Sequence, residues 1–464
     1  LVFTRSIAMA ETDTDAPDQF DASGRAADER APGLWRRYRR LPANVFFISL
    51  VSLLNDASSE IIYPLLPVFL AGVLSASPAV IGLVEGGAES VSGLLKLFSG
   101  YLSDRRASRK APVVFGYALA GLARPLLGYA ATWQQVFAVR LTDRVGKGVR
   151  SAPRDAMIAD SASPAERGLA FGFHRAMDHA GAVVGPLVGY ALLTSLAADR
   201  NSPTHGDYEH IFLLASVPAL LSVLVAAFLV RETAGRARAA GGPARAAEAS
   251  SAGITPPRFS LRGFDANFKR FLVVLVVFTL SNSSDAFLIL RANGAGISGA
   301  TIMLLWAALH ATKVLSSLVG GDLSDRVGRK SLIVSGWLLY AAVYAGFAYV
   351  SGPGAAWALF LIYGVYFGLA EGAEKALVAD LVPAEKRGTA FGLYNLALSV
   401  TYLPASLLMG KLWQWRGAHF AFLASALVGS VAALLLALAV RPAAAATLRR
   451  GRKNGNYALD APKR

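Results

Sequence analysis

The sequence predicts an all-α integral membrane protein: twelve transmembrane helices in two six-helix bundles related by a pseudo-twofold axis. Three observations predict it. Of the 464 residues, 54% are hydrophobic, enough to fill roughly ten to twelve spans of about 20 residues each. Mean hydropathy is +0.44 and only 17% of the residues are charged, against about 25% in an ordinary soluble domain. Motif-bearing segments also recur about 220 residues apart along the chain. A single soluble core of this size is excluded, and so is intrinsic disorder. The chain contains 0 Cys, which excludes disulfide scaffolds, thiolate nucleophiles and thiolate metal sites.

Apolar runs divided by short polar breaks place the spans at 44–71, 79–101, 112–132, 134–158, 167–195 and 209–230 in the first bundle. The second bundle takes 270–290, 298–321, 331–351, 355–381, 387–409 and 417–440. Residues 1–43 are polar and rich in Pro, Gly and Ala, a composition that predicts a disordered tail. They hold no apolar stretch of the signal-peptide kind, and Met9 is a candidate start. Residues 231–269, rich in Ala, Gly, Arg and Pro, predict a flexible linker between bundles at 44–230 and 270–440, and residues 441–464 a second tail.

Basic residues sort to one side of these spans. Arg36, Arg37, Arg39 and Arg40 precede the first, and Arg105, Arg106, Arg109 and Lys110 follow the second. The linker, Arg326, Arg329, Lys330, Lys386, Arg387 and the final tail share that side, whereas Arg200, Arg291 and Arg416 are the chief exceptions. The positive-inside bias therefore predicts a multi-pass protein of the cell (plasma or inner) membrane with both termini cytoplasmic. It also accounts for the pI near 10.0 without nucleic acid, with the lipid bilayer as the partner of the charge.

Two segments recur about 220 residues apart. Gly100-Tyr-Leu-Ser-Asp104-Arg105 returns as Gly321-Asp-Leu-Ser-Asp325-Arg326, and Arg167-Gly-Leu-Ala-Phe-Gly172 returns as Arg387-Gly-Thr-Ala-Phe-Gly392. Asp160 likewise matches Asp380. A tandem duplication of this kind predicts a substrate path between the halves near the midplane. From Asn44 to Val440 the chain resembles the major facilitator superfamily, and Gly321-Asp-Leu-Ser-Asp-Arg-Val-Gly-Arg-Lys330 is similar to that family's loop signature. The first copy departs, with Ala107 at the usual loop glycine and its basic pair displaced to Arg109-Lys110. Asp104 and Asp325 are suited to accept from helix N-termini, and Arg105 and Arg326 to hold a carboxylate, so these contacts are expected to bias the conformational equilibrium.

Charges at bilayer depth cost about 2.5–3.5 kcal/mol each on insertion scales, so each needs a partner or a cavity. The first span carries Asp56 and Glu60, four apart and on one face; the second carries Glu85, Glu89 and Lys96; the third, Arg124. The fourth repeats Arg140, Asp143, Arg144, Lys147, Arg150 and Arg154 along one stripe beside Asp155. The fifth adds His174, Arg175, Asp178 and His179. A self-neutralising structural network is the bland reading for any single member. For the set, proton chemistry is the sharper one, because repulsion between neighbouring carboxylates favours a proton on one of them. Asp56 and Glu60 are the first-choice carriers, with Arg140 or Arg144 as the competing positive group, and Glu85 and Glu89 come second. Arg140-Leu-Thr-Asp143-Arg144-Val-Gly146 resembles in part the family's fourth-helix motif, whose arginine is implicated in proton coupling.

Gly172, Gly181, Gly185-Pro186 and Gly189 resemble the family's antiporter motif, which implies export by proton exchange; Tyr190 stands where its last glycine is usual. In the second half, Trp306, His310, Tyr363, Phe367 and Tyr394 are candidate substrate-lining residues among many packing aromatics. Under the 220-residue offset Arg154-Asp155 matches Glu374-Lys375 with reversed signs, which suggests a cytoplasmic gate pairing Arg154 with Glu374 and Asp155 with Lys375. Local pairing of Glu371 with Lys375 is the alternative.

These features predict a secondary active transporter, not an enzyme: a monomer exporting a small-molecule organic solute in exchange for protons by alternating access. A proton-coupled symporter importing an anionic or sugar-like solute is the runner-up. A divalent-metal exporter using Asp56, Glu60, Glu89, His174, Asp178, His179 and His310 is the third. No cofactor, resident metal or nucleic-acid partner is expected, since the sequence holds no nucleotide-binding Gly-rich loop, HExxH or nucleophile elbow.

Overall fold

The computed structural model describes residues 41–105, 108–163, 166–199, 203–233, 260–383 and 386–441, side chains excepted at 100–105, 318, 321, 322 and 325. Among the described residues all regular structure is helical. The tails and most of the linker lie outside them, as do the side chains of Asp104, Arg105 and Asp325.

The first segment is broken. Helix α1 (Ala43–Ile62) ends at Tyr63, and α2 (Leu66–Gly72) resumes after Pro64, whose ring removes a backbone donor. The same break recurs in the second half, where α8 (Ala266–Ser281) and α9 (Ala286–Gly294) are separated by Asn282-Ser-Ser-Asp285. Short polar side chains there compete with the backbone for hydrogen bonds. Irregular backbone at membrane depth survives where it faces protein or a cavity. The expected continuous spans 44–71 and 270–290 are thus each two helices.

Between the breaks run α3 (Pro78–Arg105) and α4 (Lys110–Ala123), the latter closing in a 3-10 turn at Arg124–Leu127. Next come α5 (Trp133–Ser161), α6 (Arg167–Leu196) and α7 (His205–Phe228). Capping boxes start α5 at Thr132 with Gln135 and α7 at Thr204 with Asp207, each cap stabilising its helix by about 1 kcal/mol. The second half continues with α10 (Gly299–Val327), α11 (Arg329–Tyr349), α12 (Pro353–Asp380) and α13 (Arg387–Ala439). Helix α13 is interrupted at Gly417, whose φ of 81° lies where side-chain-bearing residues are strained. Eight described segments are long and apolar enough to cross a membrane. The charged α3 and α5 and the short α4 are not among them.

The duplication is visible atom by atom at the basic end. Asn44 exchanges two hydrogen bonds with the backbone of Arg231, and Asn267 does the same with Arg441. Arg109 pairs with Asp160 as Arg329 does with Asp380. Lys110 donates to the Ala227 carbonyl at 2.7 Å and Lys330 to that of Ala437 at 2.6 Å. Arg167 and Arg387 each reach back to a carbonyl, of Ala159 and Ala379. The displaced basic pair of the first loop therefore keeps the contacts of the second.

Aromatic packing fills the second half. Phe278 stacks on Trp337 at 4.1 Å, and Tyr340, Tyr344, Tyr363 and Phe347 are fully buried beside them. Such ring pairs add about 0.5–1.5 kcal/mol beyond area burial. Across the halves the helices meet at the end away from the basic clamps: Gly410 of α13 lies against Pro78 and Ala79, Gly189 against Met303, and Gly299 against Leu193. Toward the basic end they part around a cavity.

Candidate functional site

The first-half charges resolve into two classes. Arg140 holds Glu85 with two hydrogen bonds, at 2.7 and 3.1 Å, and both are almost fully buried. Arg124 binds Asp143 at 2.9 Å and also donates to the Asn55 carbonyl, the Asn55 side chain and the Ser58 hydroxyl. Every donor of that guanidinium facing α1 is used, which fixes α1, α4 and α5 together. Arg144 reaches Glu89 at 2.8 Å. The sequence suggested Arg140 or Arg144 as the positive group competing with the proton for Asp56 and Glu60; both arginines bind acids of α3, and Arg144 also lines the cavity that holds Asp56 and Glu60.

Asp56 and Glu60 remain available. They line a central cavity of about 210 Å³ together with Tyr63, Glu89, Arg144, Lys147, Asp285, Trp306, His310 and Lys313. The cavity sits where both broken helices expose their ends. Asp56 accepts from the Asn55 amide at 3.0 Å. Glu60 accepts from the Trp306 indole N–H at 2.8 Å, and His310 Nε2 lies 3.9 Å away, so this carboxylate faces two groups of the other half.

Helix α6 explains how that face is held. A methyl at Gly181 would lie 2.6 Å from the Leu53 carbonyl oxygen, and one at Gly185 would lie 2.5 Å from that of Ala57 and 2.8 Å from Glu60 Cβ. Gly189 continues the groove along Ile61. The glycines admit the backbone of α1 at the turn that carries both acids, and Pro186 lies within the same stretch. Gly172, by contrast, has open space around it.

Other expected residues fall elsewhere. His174 and Asp178 pair at 3.5 Å along α6, outside the cavity lining. Arg175, more than half exposed, reaches Glu371 across the halves at 3.5 Å. The expected gate pairs are not formed in this conformation. Arg154 binds its neighbour Asp155 at 2.9 Å, Lys375 binds Glu371 at 2.7 Å, and buried Glu374 accepts from Trp337 and Tyr394 at 2.8 and 3.0 Å. Each of the four residues is engaged by a partner in its own half. Arg326 lies in the last turn of α10.

A second cavity of about 360 Å³ opens there, lined by Lys96, Asn282, Tyr366, Phe367, Glu371, Glu374, Lys375, Tyr394 and Tyr402 among others. Trp306 and His310 thus line the first cavity, and Phe367 and Tyr394 the second. Tyr363 is fully buried and donates to Asp285 at 2.7 Å. Lys147 of the α5 stripe, with Asp285 and Lys313 of the second half, completes the lining. The polar run Asn282-Ser-Ser-Asp285 inside an apolar segment was the available signal for Asp285. Among the described residues no group of three or more His, Cys, Asp or Glu side chains could hold a metal ion.

The family model of the Major Facilitator Superfamily matches residues 48–402 and 271–461. An uncharacterized MFS-type transporter of Methanocaldococcus jannaschii is 34% identical over 407 residues, covering 86% of this chain and 95% of that one. A multi-drug resistance efflux pump of Streptococcus pneumoniae is 33% identical over 118 residues, 25% of this chain and 28% of that one. In fold the chain is similar to a D-xylose–proton symporter, with a TM-score of 0.67 at 17% identity over 87% of this chain and 98% of that one.

Proposed function

The chain belongs to the major facilitator superfamily, and from that premise we propose that it exports a small organic solute in exchange for protons by alternating access. The observation that carries this reading is the Glu60 carboxylate, seated in a cavity between the halves and bonded to Trp306 of the other half. Any rocking of one half against the other makes or breaks that bond, so a proton on Glu60 biases which conformation is favoured. The glycine groove of α6 holds the same turn, and the pneumococcal relative, an efflux pump by name, supports the outward direction.

Within this proposal, the charged α3 and α5, the short α4 and the two arms of α13 bring the eight apolar segments to twelve spans. The two bundles are 44–230 and 270–440, and the protein works as a monomer in the cell membrane. The basic end faces the cytoplasm, so the conformation described is open inward. Arg154–Glu374 and Asp155–Lys375 are then the pairs that form when that end closes.

Reconstituted protein should dissipate a proton gradient when substrate is present, and Asp56→Asn or Glu60→Gln should abolish this without unfolding it. Undiminished proton exchange in both variants refutes the carriers. Lys147 supports a second reading, import of an anionic solute, because this cavity cation forms no ion pair among the described residues. Accumulation in acidified everted vesicles distinguishes export from that alternative.

A further inference from the structure

Lys313 of α10 is a cation enclosed by the protein, its side chain only 16% exposed. Its ammonium lies 3.9 Å from the centre of the Phe367 ring, 5.6 Å from that of Trp306 and 5.9 Å from that of Tyr363. Asp285 closes the remaining side at 3.6 Å, and the Tyr363 hydroxyl holds its other oxygen at 2.7 Å. Ring faces on several sides and one carboxylate form the chemistry that recognises alkylammonium ions.

As a purely structural device the arrangement is a poor one. A buried ion pair is often matched or bettered by apolar residues of similar volume, and ordering a lysine costs about 2 kcal/mol of side-chain entropy. The box also borders two cavities. Asp285, Trp306 and Lys313 line the central cavity beside Glu60, and Phe367 lines the larger cavity toward the basic end.

We propose that Asp285, Trp306, Tyr363 and Phe367 form the ammonium subsite of the transported solute, and that Lys313 is its tethered occupant, displaced when an amine enters. The substrate class is then a primary or alkyl amine in its cationic form, carried on an aliphatic or aromatic body. This rests on the transport reading above and adds the substrate chemistry to it.

Lys313→Ala removes the equivalent of n-propylammonium. With purified full-length protein, n-propylammonium chloride should raise the melting temperature of Lys313→Ala at lower concentration than that of wild type, where the amine must first displace Lys313. Sodium chloride and 1-propanol at equal concentration should raise neither. Adding Asp285→Asn to Lys313→Ala should weaken the amine about tenfold. A folded Lys313→Ala that ignores the amine, or a shift that survives Asp285→Asn undiminished, overturns the proposal. If Lys313→Ala does not purify as a monodisperse protein, equilibrium dialysis of wild type with labelled 2-phenylethylammonium decides. Saturable binding lost in Phe367→Ala supports the box, and no saturable binding refutes it. A protein that binds the amine yet moves no protons refutes exchange and leaves the subsite standing; a proton exchanger that binds no amine refutes the subsite alone.

Discussion

Trp306 donates its indole N–H to Glu60 at 2.8 Å, joining residues 246 apart in the chain. The bond crosses from α10 to α1 at the level where α1 is about to break, so it reads the position of one half against the other. A hydrogen bond to a charged group contributes about 1.5–3 kcal/mol. Trp306→Phe keeps the ring and removes the donor. It should slow substrate-driven proton flux by about tenfold or more while the protein still folds, as measured in proteoliposomes with a pH-sensitive dye. Unchanged flux would show that the contact plays no part in coupling.

The glycines of α6 should not be equivalent. Gly185→Ala places a methyl 2.5 Å from the Ala57 carbonyl oxygen, and forced overpacking of this kind costs about 1–3 kcal/mol. Gly172→Ala meets nothing within 4 Å and should leave the melting temperature unaltered or slightly raised, since Ala favours the helix over Gly. Equal destabilisation of the two variants would argue against the packing described.

Glu85 and Arg140 should behave as a unit. Removing one partner of a buried pair costs about 3–5 kcal/mol, whereas apolar replacement of both is often near neutral. Glu85→Gln should therefore lower stability sharply, and Glu85→Leu combined with Arg140→Met should recover most of it. Chemical denaturation of the single and double variants measures this, and simple additivity would contradict it.

Because the natural chain has 0 Cys, paired cysteines report conformation without background. Leu193→Cys with Gly299→Cys should cross-link in the conformation described, where the two positions touch. Arg154→Cys with Glu374→Cys should cross-link only after the basic end closes, and added substrate should change the ratio of the two. Rapid cross-linking of the second pair without substrate, at the rate of the first, would remove the gate.

The family, the duplication and the segments were legible because long apolar runs and repeated motifs are properties of local sequence. The partners of the charges were not. Arg140, Arg144 and Lys147 share one stripe of α5, and only tertiary packing decides that α3 rather than α1 faces the two arginines. His174 and Asp178, counted among the charges of the fifth span, pair with each other along α6 and are not among the residues that line the central cavity. The breaks after Ile62 and Ser281 have their signals in Pro64 and in Asn282-Ser-Ser-Asp285, but the apolar residues on either side outweigh four polar ones when a span is read as a whole. Tyr363, fully buried, touches the site through the hydroxyl that it donates to Asp285.

The two asparagine clamps carry a mechanical consequence. Asn44 and Asn267 each fasten the opening of a half to the chain leaving its last helix, so each half is stapled shut at its rim. Load arriving through the segment that joins them is borne by that staple rather than passed inward. Severing the connecting segment should therefore leave two pieces that still find each other.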